Sequence, residues 1–197
     1  MKKVGKILSV AAVTATALIT LTVVALCAFF PNKYSREIND AAEAFELDPV
    51  LVRSVIWAES RFDAKAVSSA GAVGLMQLMP ETFSECAAAL GMKKADAFDV
   101  RSSLLCGCYY LSALMDKFGD TTAALYAYNA GEANARRFLD GEPIFPETRA
   151  YVAAVNRAMR YYGFFMPNSV RNKSTVSASN FSLSLSDGTQ KSASVAR

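Results

Sequence analysis

Histidine is missing altogether from this 197-residue chain. Its absence excludes the serine–histidine–aspartate and cysteine–histidine nucleophile arrangements and the common histidine-containing zinc sites. Cysteine is scarce: of four, Cys27 lies in an N-terminal apolar run, leaving Cys86, Cys106 and Cys108. An odd count outside that run fits one disulfide plus a free thiol, or three buried thiols acting as small apolar fillers, the commoner use. The Cys-x-Cys at 106–108 has no further ligands around it, so neither a metal nor a cofactor is expected. A surplus charge of one sign is lacking too. The net charge of +3 comes from Lys2, Lys3 and Lys6, and residues 33–167 hold 14 basic and 17 acidic side chains. That balance excludes a polybasic nucleic-acid surface, and an anionic polymer would have to be gripped by neutral groups or local patches. Alternating strand patterns and internal repeats are absent as well. Chemistry here must run on carboxylates, amides, hydroxyls or thiols.

What is present begins with MKKVGK followed by Ile7 to Phe30, 24 apolar or small residues without a charge. A bilayer crossing needs about 20 such residues, whereas the apolar core of a cleavable signal is typically about 7–15 with an A-x-A-like site after it. The run therefore predicts an uncleaved single-pass anchor in the cell membrane, a cleaved signal and a secreted domain being the alternative. The lysines on its N-terminal side place the rest of the chain outside the cytoplasm. The expected organisation is an anchor over 1–32, one domain over 33–167, and a disordered tail over 168–197, whose nine serines and few apolar residues cannot offset chain entropy.

Within the domain, apolar residues recur at helical spacing, which predicts an all-α fold. A first helix is expected over 35–45 with Ser35 as its cap. A second should start at Asp48-Pro49, a capping residue followed by the proline favoured at the first helical position, and run to about Arg61. Further helices are expected from Val73 or Gly74 to Met79, from Glu81 to Leu90, from a cap at Asp99 or Ser102 to Gly119, over 121–128, over 133–139, and over 147–162.

One residue resists this apolar reading. Glu59 follows Val55 by four residues and Ile56 by three, so it shares the face those residues bury. Desolvation disfavours the charged form of a carboxyl, and a glutamic acid still protonated near pH 6 is a usable general acid. The loop behind it adds Gly71 and Gly74, which permit unusual dihedrals or close approach, the amide of Gln77, and the adaptable apolar surface of Met76 and Met79. Asp63 offers no rival, since an aspartate at a loop start more often accepts backbone hydrogen bonds.

Four separated motifs then coincide: Glu59-Ser60-Arg61-Phe62 with Ala66-Val67-Ser68, Gly71 through Pro80, Ala127-Tyr128-Asn129-Ala130-Gly131, and Pro146-Glu147-Thr148-Arg149 with Tyr151-Val152. In order and spacing, over residues 34 to about 162, they resemble the lytic transglycosylases of the soluble type, whose catalytic domains share the goose-type lysozyme-like helical fold. The resemblance implies a bacterial cell-wall enzyme whose partner is a peptidoglycan glycan strand, with Glu59 as its only catalytic acid and base and a 1,6-anhydromuramyl end as its product. It also implies that Ser68, Gln77, Met79, Tyr128, Asn129, Glu147 and Tyr151 line or organise the groove, Glu147 lying near the catalytic glutamate. At 98–103 the chain departs from the family, which usually has a proline after the aspartate and an asparagine where Ser103 stands. A hydrolase on the same scaffold, or a glycan-binding assembly scaffold without turnover, remain the alternatives. Trp57 reads as structural.

Overall fold

The computed structural model describes residues 2–166, apart from the side chains of 2–5, 7–11 and 27. Its helices are α1 (Lys2–Phe29), α2 (Ser35–Ala44), α3 (Pro49–Glu59), α4 (Pro80–Ala89), α5 (Val100–Phe118), α6 (Thr121–Ala130), α7 (Glu132–Leu139) and α8 (Pro146–Phe165). Among the described residues the only β pairing is a pair of isolated antiparallel bridges, Val67 with Val73 and Val73 with Leu78. The expected tail over 168–197 lies outside the described residues.

Local chemistry accounts for most helix ends. Asp48 accepts from the Val50 amide at 2.8 Å with Pro49 at the first helical position of α3. Asp99 accepts from the amide and the hydroxyl of Ser102, at 2.8 and 2.9 Å, to start α5. Asp120 starts α6 in the same way, and prolines open α4 and α8. Each such cap typically contributes about 1 kcal/mol. Gly119, with φ 65°, closes α5 in the left-handed region.

Two expectations need correction. Ser35 does not cap α2: the residue before the helix is Tyr34, at φ 57°, and the Ser35 hydroxyl donates to Asn32 Oδ1 at 2.6 Å instead. Nor is there a helix over 73–79. Gly74 and Gln77 take φ of 79° and 50°, values no α-helix contains, and the segment pairs with 66–68 through the Val67–Val73 bridge and closes on itself through Val73–Leu78. Helically spaced apolar residues mark a buried loop here.

α3 is the axis of the domain. Every residue from Val50 to Trp57 is buried, and the helix packs chiefly on α8, with Val52, Val55 and Ile56 in one core with Leu111, Leu125, Val155 and Tyr162. Burying side chains of this size contributes roughly 1.5–3 kcal/mol each. A smaller cluster of Leu78, Phe83, Cys86, Ala87 and Cys106 lies under α4. Cys86, Cys106 and Cys108 are all buried and unpaired, and burial pushes their thiols up to about 11, 12 and 12, so they serve as unreactive filler.

Among the described residues no helix is long and apolar enough to cross a membrane. The stretch of α1 over 12–26 carries no charged side chain. Along that stretch Val13, Leu18, Ile19, Leu21 and Val24 are exposed. Past the end of α1, Phe30 is buried in the core with Trp57 and Tyr162.

Candidate active site

Glu59 is the last residue of α3, and the backbone turns sharply behind it. Arg61 and Phe62 follow with φ of 53° and 64°, two successive non-glycine residues in the left-handed region. Such a pair costs on the order of 1–3 kcal/mol per residue and is held by its surroundings. Phe62 is fully buried, while the Ser60 hydroxyl donates to the Leu75 carbonyl at 2.7 Å and ties the end of α3 to the loop at 74–79.

As a residue Glu59 keeps some contact with solvent, but its carboxyl is densely walled, and burial pushes it up to about 7. Tyr151, from α8, opposes the shift. Its buried hydroxyl faces the carboxyl closely enough to stabilise the anion, yet the approach falls short of a regular hydrogen bond, and the phenol oxygen has no other partner. Tyr128, from α6, is the second neighbour. Burial first, and then the Glu59 charge, hold the hydroxyls of Tyr128 and Tyr151 well above the usual tyrosine range. Neither phenol carries a charge at neutral pH. Both can donate.

The loop opposite is braced by close packing and hydrogen bonds. Gly74 sits so close to Ala97 that a Cβ would strike the Ala97 carbonyl oxygen, and Gly107 on α5 faces Met76, whose Cβ would lie 2.8 Å from one added there. The Met76 amide donates to the Ser103 hydroxyl at 3.2 Å, and the Met76 carbonyl accepts from the Tyr128 hydroxyl at 2.8 Å. Gln77 spends its amide nitrogen inside the loop, donating to the carbonyls of Ala66 (3.1 Å) and Gly74 (2.9 Å), so that Oε1 is the atom left for a ligand. Ser68 accepts from the Ala72 amide at 3.0 Å, closing the turn that carries Gly71. Met79, about half exposed, precedes α4 and offers an apolar surface.

The structure thus brings Glu59, Tyr128 and Tyr151 together, and places Ser68, Gln77 and Met79 on one braced loop. Asn129 is exposed beside Tyr128. Glu147 is exposed in the first turn of α8. Burial raises the Glu59 pKa and Tyr151 lowers it, and among the described residues no carboxylate contributes to that shift. Asp63 accepts from the Lys65 amide at 2.9 Å in a local turn. Sequence reasoning missed the bracing residues Ser60, Ser103 and Gly107. The run of small residues Cys106-Gly107-Cys108 inside an otherwise bulky helix was the available signal of close approach.

One buried, protonatable carboxyl among neutral donors, at the end of a helix in an all-helical domain, is a site built for proton transfer. The transglycosylase SLT domain model matches residues 36–146, which contain Glu59, the loop and Tyr128. The chain belongs to the transglycosylase SLT domain family.

Relatives agree with this SLT assignment. A transglycosylase of Enterobacteria phage PRD1 is 38% identical over 98 residues, covering 50% of this chain and 35% of that one. The X polypeptide of Escherichia coli is 34% identical over 125 residues, covering 57% and 71%. Among solved structures, an inactive mutant of the lytic transglycosylase Slt from Pseudomonas aeruginosa superposes with a TM-score of 0.64 at 29% identity, covering 68% of this chain and 24% of that one. This SLT chain therefore spans about a third of the phage relative and a quarter of Slt.

Proposed function

We propose that this chain is a peptidoglycan lytic transglycosylase in which Glu59 acts first as acid and then as base. The supporting observation is the buried Glu59 carboxyl, pushed up to about 7 and facing two neutral phenols. A conventional glycosidase needs two carboxyl groups, roughly 5–9.5 Å apart, one of them to act as nucleophile or to activate water. We read Glu59 as the one carboxyl that works in this site, so the attacking group comes from the substrate.

The proposed sequence has two proton transfers. Protonated Glu59 gives its proton to the oxygen of the β-1,4 bond between N-acetylmuramic acid and N-acetylglucosamine, and the bond from the muramyl C1 to that oxygen breaks. The substrate's N-acetyl group stabilises the electron-poor centre. The Glu59 carboxylate then takes the proton of the muramyl 6-hydroxyl as that oxygen bonds to C1, which restores the acid and leaves a 1,6-anhydro ring. Tyr151 would donate to Glu59 during its brief life as an anion, and Gln77 Oε1, Met79 and Asn129 would line the glycan's path. The solved Slt relative supports the assignment, because the change in its inactive form is glutamate to glutamine.

We further propose that α1 anchors the domain in the cell membrane. At about 1.5 Å per residue its 28 residues would reach roughly 42 Å, lysines stand at its N-terminal end, and its described apolar side chains are exposed. Retention in the membrane fraction after carbonate extraction is expected, and release into the supernatant would contradict it.

Mass spectrometry of the muropeptides released from purified peptidoglycan tests the reaction. Products one water lighter than hydrolytic ones are expected. Ordinary reducing ends would identify a hydrolase on the same scaffold, and no products a binding scaffold.

A further inference from the structure

The end of α1 is locked to the catalytic domain. Phe30 lies stacked between Trp57, at 4.8 Å between ring centroids, and Tyr161, at 4.1 Å, with Tyr162 edge-on at 5.8 Å. Two hydrogen bonds fix the chain on either side of it: Trp57 Nε1 donates to the Phe29 carbonyl at 2.8 Å, and the Tyr162 hydroxyl donates to the Pro31 carbonyl at 2.9 Å. A helix held this way to both α3 and α8 cannot swivel as if on a flexible tether.

Around this junction the surface has an unusual composition. Phe29, Phe164 and Phe165 are exposed by 55%, 77% and 52%, although rings of that size are normally covered. They adjoin one another through Phe30 and Tyr161, since Phe29 lies edge-on to Phe30, Tyr161 packs on Phe165 at 4.7 Å, and Phe165 on Phe164 at 4.9 Å. Beside the rings the Arg61 guanidinium lies over Trp57, 3.3 Å from its centroid, and 5.3 Å from that of Phe29. Arg157 is close enough to act on Arg61 as a second positive charge, and among the described residues neither forms an ion pair. Arg157, Arg160, Tyr161 and Phe164 share one face of α8 by helical spacing. Exposed aromatic rings with unpaired arginines at the end of an apolar helix have the make-up of a bilayer interface, where rings sit at headgroup level and cations meet lipid phosphate.

We propose that this face, formed by Phe29, Arg61, Arg157, Phe164 and Phe165, seats the domain in the headgroup layer of an anionic bilayer in one fixed orientation. This rests on the reading of α1 as an anchor and goes beyond it. An anchor alone leaves the domain free to turn, whereas a seated domain has α8 leading away from the surface. Arg61 is two residues from Glu59, at most about 7.6 Å along the chain at 3.8 Å per step. Tyr151, which faces the catalytic carboxyl, precedes Phe164 by 13 residues on α8, about 20 Å at 1.5 Å per residue. The carboxyl is then held within about that height of the lipid, and its substrates are the glycan strands nearest the membrane.

The test uses the full chain in vesicles of phosphatidylethanolamine and phosphatidylglycerol, with bromine-labelled acyl chains as quencher. A tryptophan is introduced by Phe164→Trp, or by Phe145→Trp as the distal control. Phe145 is also about half exposed and lies at the other end of α8, about 28 Å away at 1.5 Å per residue. The expected result is at least twofold quenching for Phe164→Trp, less in phosphatidylcholine alone, with Phe145→Trp quenched no more than the unmodified chain, whose Trp57 is buried. Equal quenching of the two variants on vesicles that carry the protein through flotation would overturn the seating while leaving the anchor intact. A shielded but unquenched Phe164→Trp would overturn it too, since protein and not lipid would then cover the face. Failure to float overturns the anchor and the seating together.

Discussion

The Tyr128 hydroxyl donates to the Met76 carbonyl at 2.8 Å, so it braces the loop facing Glu59 and does not spend its proton on the carboxyl. Removing that hydroxyl leaves a carbonyl in a fully buried residue unpaired, at a typical cost of about 1–3 kcal/mol. Tyr128→Phe is therefore expected to loosen the loop and to raise KM for glycan strands more than it lowers kcat. Steady-state kinetics on soluble glycan fragments, with urea unfolding alongside, separates the two effects.

Tyr151 acts on Glu59 in the opposite sense to burial, favouring the anion. Tyr151→Phe should move the Glu59 pKa further upward. The alkaline limb of the pH profile, where activity is expected to fall as pH rises through about 7 in the unmodified protein and Glu59 loses its proton, should move to higher pH. Activity at neutral pH should drop as well, because the anion formed after the first proton transfer loses its donor. An unchanged limb in the pH dependence of kcat/KM would separate Tyr151 from the carboxyl.

The same shift has a consequence for stability. The folded pKa of about 7 lies above the ordinary 4.5, so the fold favours the protonated acid. This contribution is intact below about pH 4.5 and is lost as pH rises through about 7. At pH 8 the ionised carboxyl weakens the fold by at most about 3 kcal/mol. Glu59→Gln is neutral at every pH and nearly isosteric, so it should be more stable than the parent at pH 8 and about equal to it at pH 4.5. Thermal unfolding at the two pH values checks the sign.

Gly107 and Gly74 are spaces that the loop fills. Gly107→Ala pushes a methyl into Met76, and Gly74→Ala adds a collision with the Ala97 carbonyl to a φ of 79° that side chains rarely adopt. Overpacking typically costs about 1–3 kcal/mol, and the backbone conflict at Gly74 should make it the more damaging change. Denaturant midpoints of the two variants rank them.

Where a signal is local the sequence was legible. Asp48-Pro49, Asp99, Gly119 and Pro146 mark helix boundaries through capping chemistry that acts within a few residues, and the structure places the boundaries there. Glu59 stood out because a carboxyl on a buried face is costly. The loop at 73–79 was not legible: Val73, Leu75, Met76 and Leu78 have helical spacing, but Gly74 and Gln77 are left-handed, Gly74 and Met76 pack on Ala97 and α5 some twenty to thirty residues further on, and Gln77 bonds back to Ala66 and Gly74. The buried place of Phe30 was hidden for a related reason. At the end of an apolar run, nothing local distinguishes a ring facing outward from one stacked between Trp57 and Tyr161.

The central claim is that one carboxyl carries both proton transfers. Turnover of purified peptidoglycan by Glu59→Gln beside the unmodified protein, with folding checked in the same samples, tests it most directly. General acid–base catalysis typically contributes ~10²–10⁴-fold. A loss of at least that size is expected, in a protein that remains folded and still binds glycan. A folded Glu59→Gln protein retaining more than roughly a tenth of the parent rate, well above what that range permits, would contradict it and place the acid elsewhere.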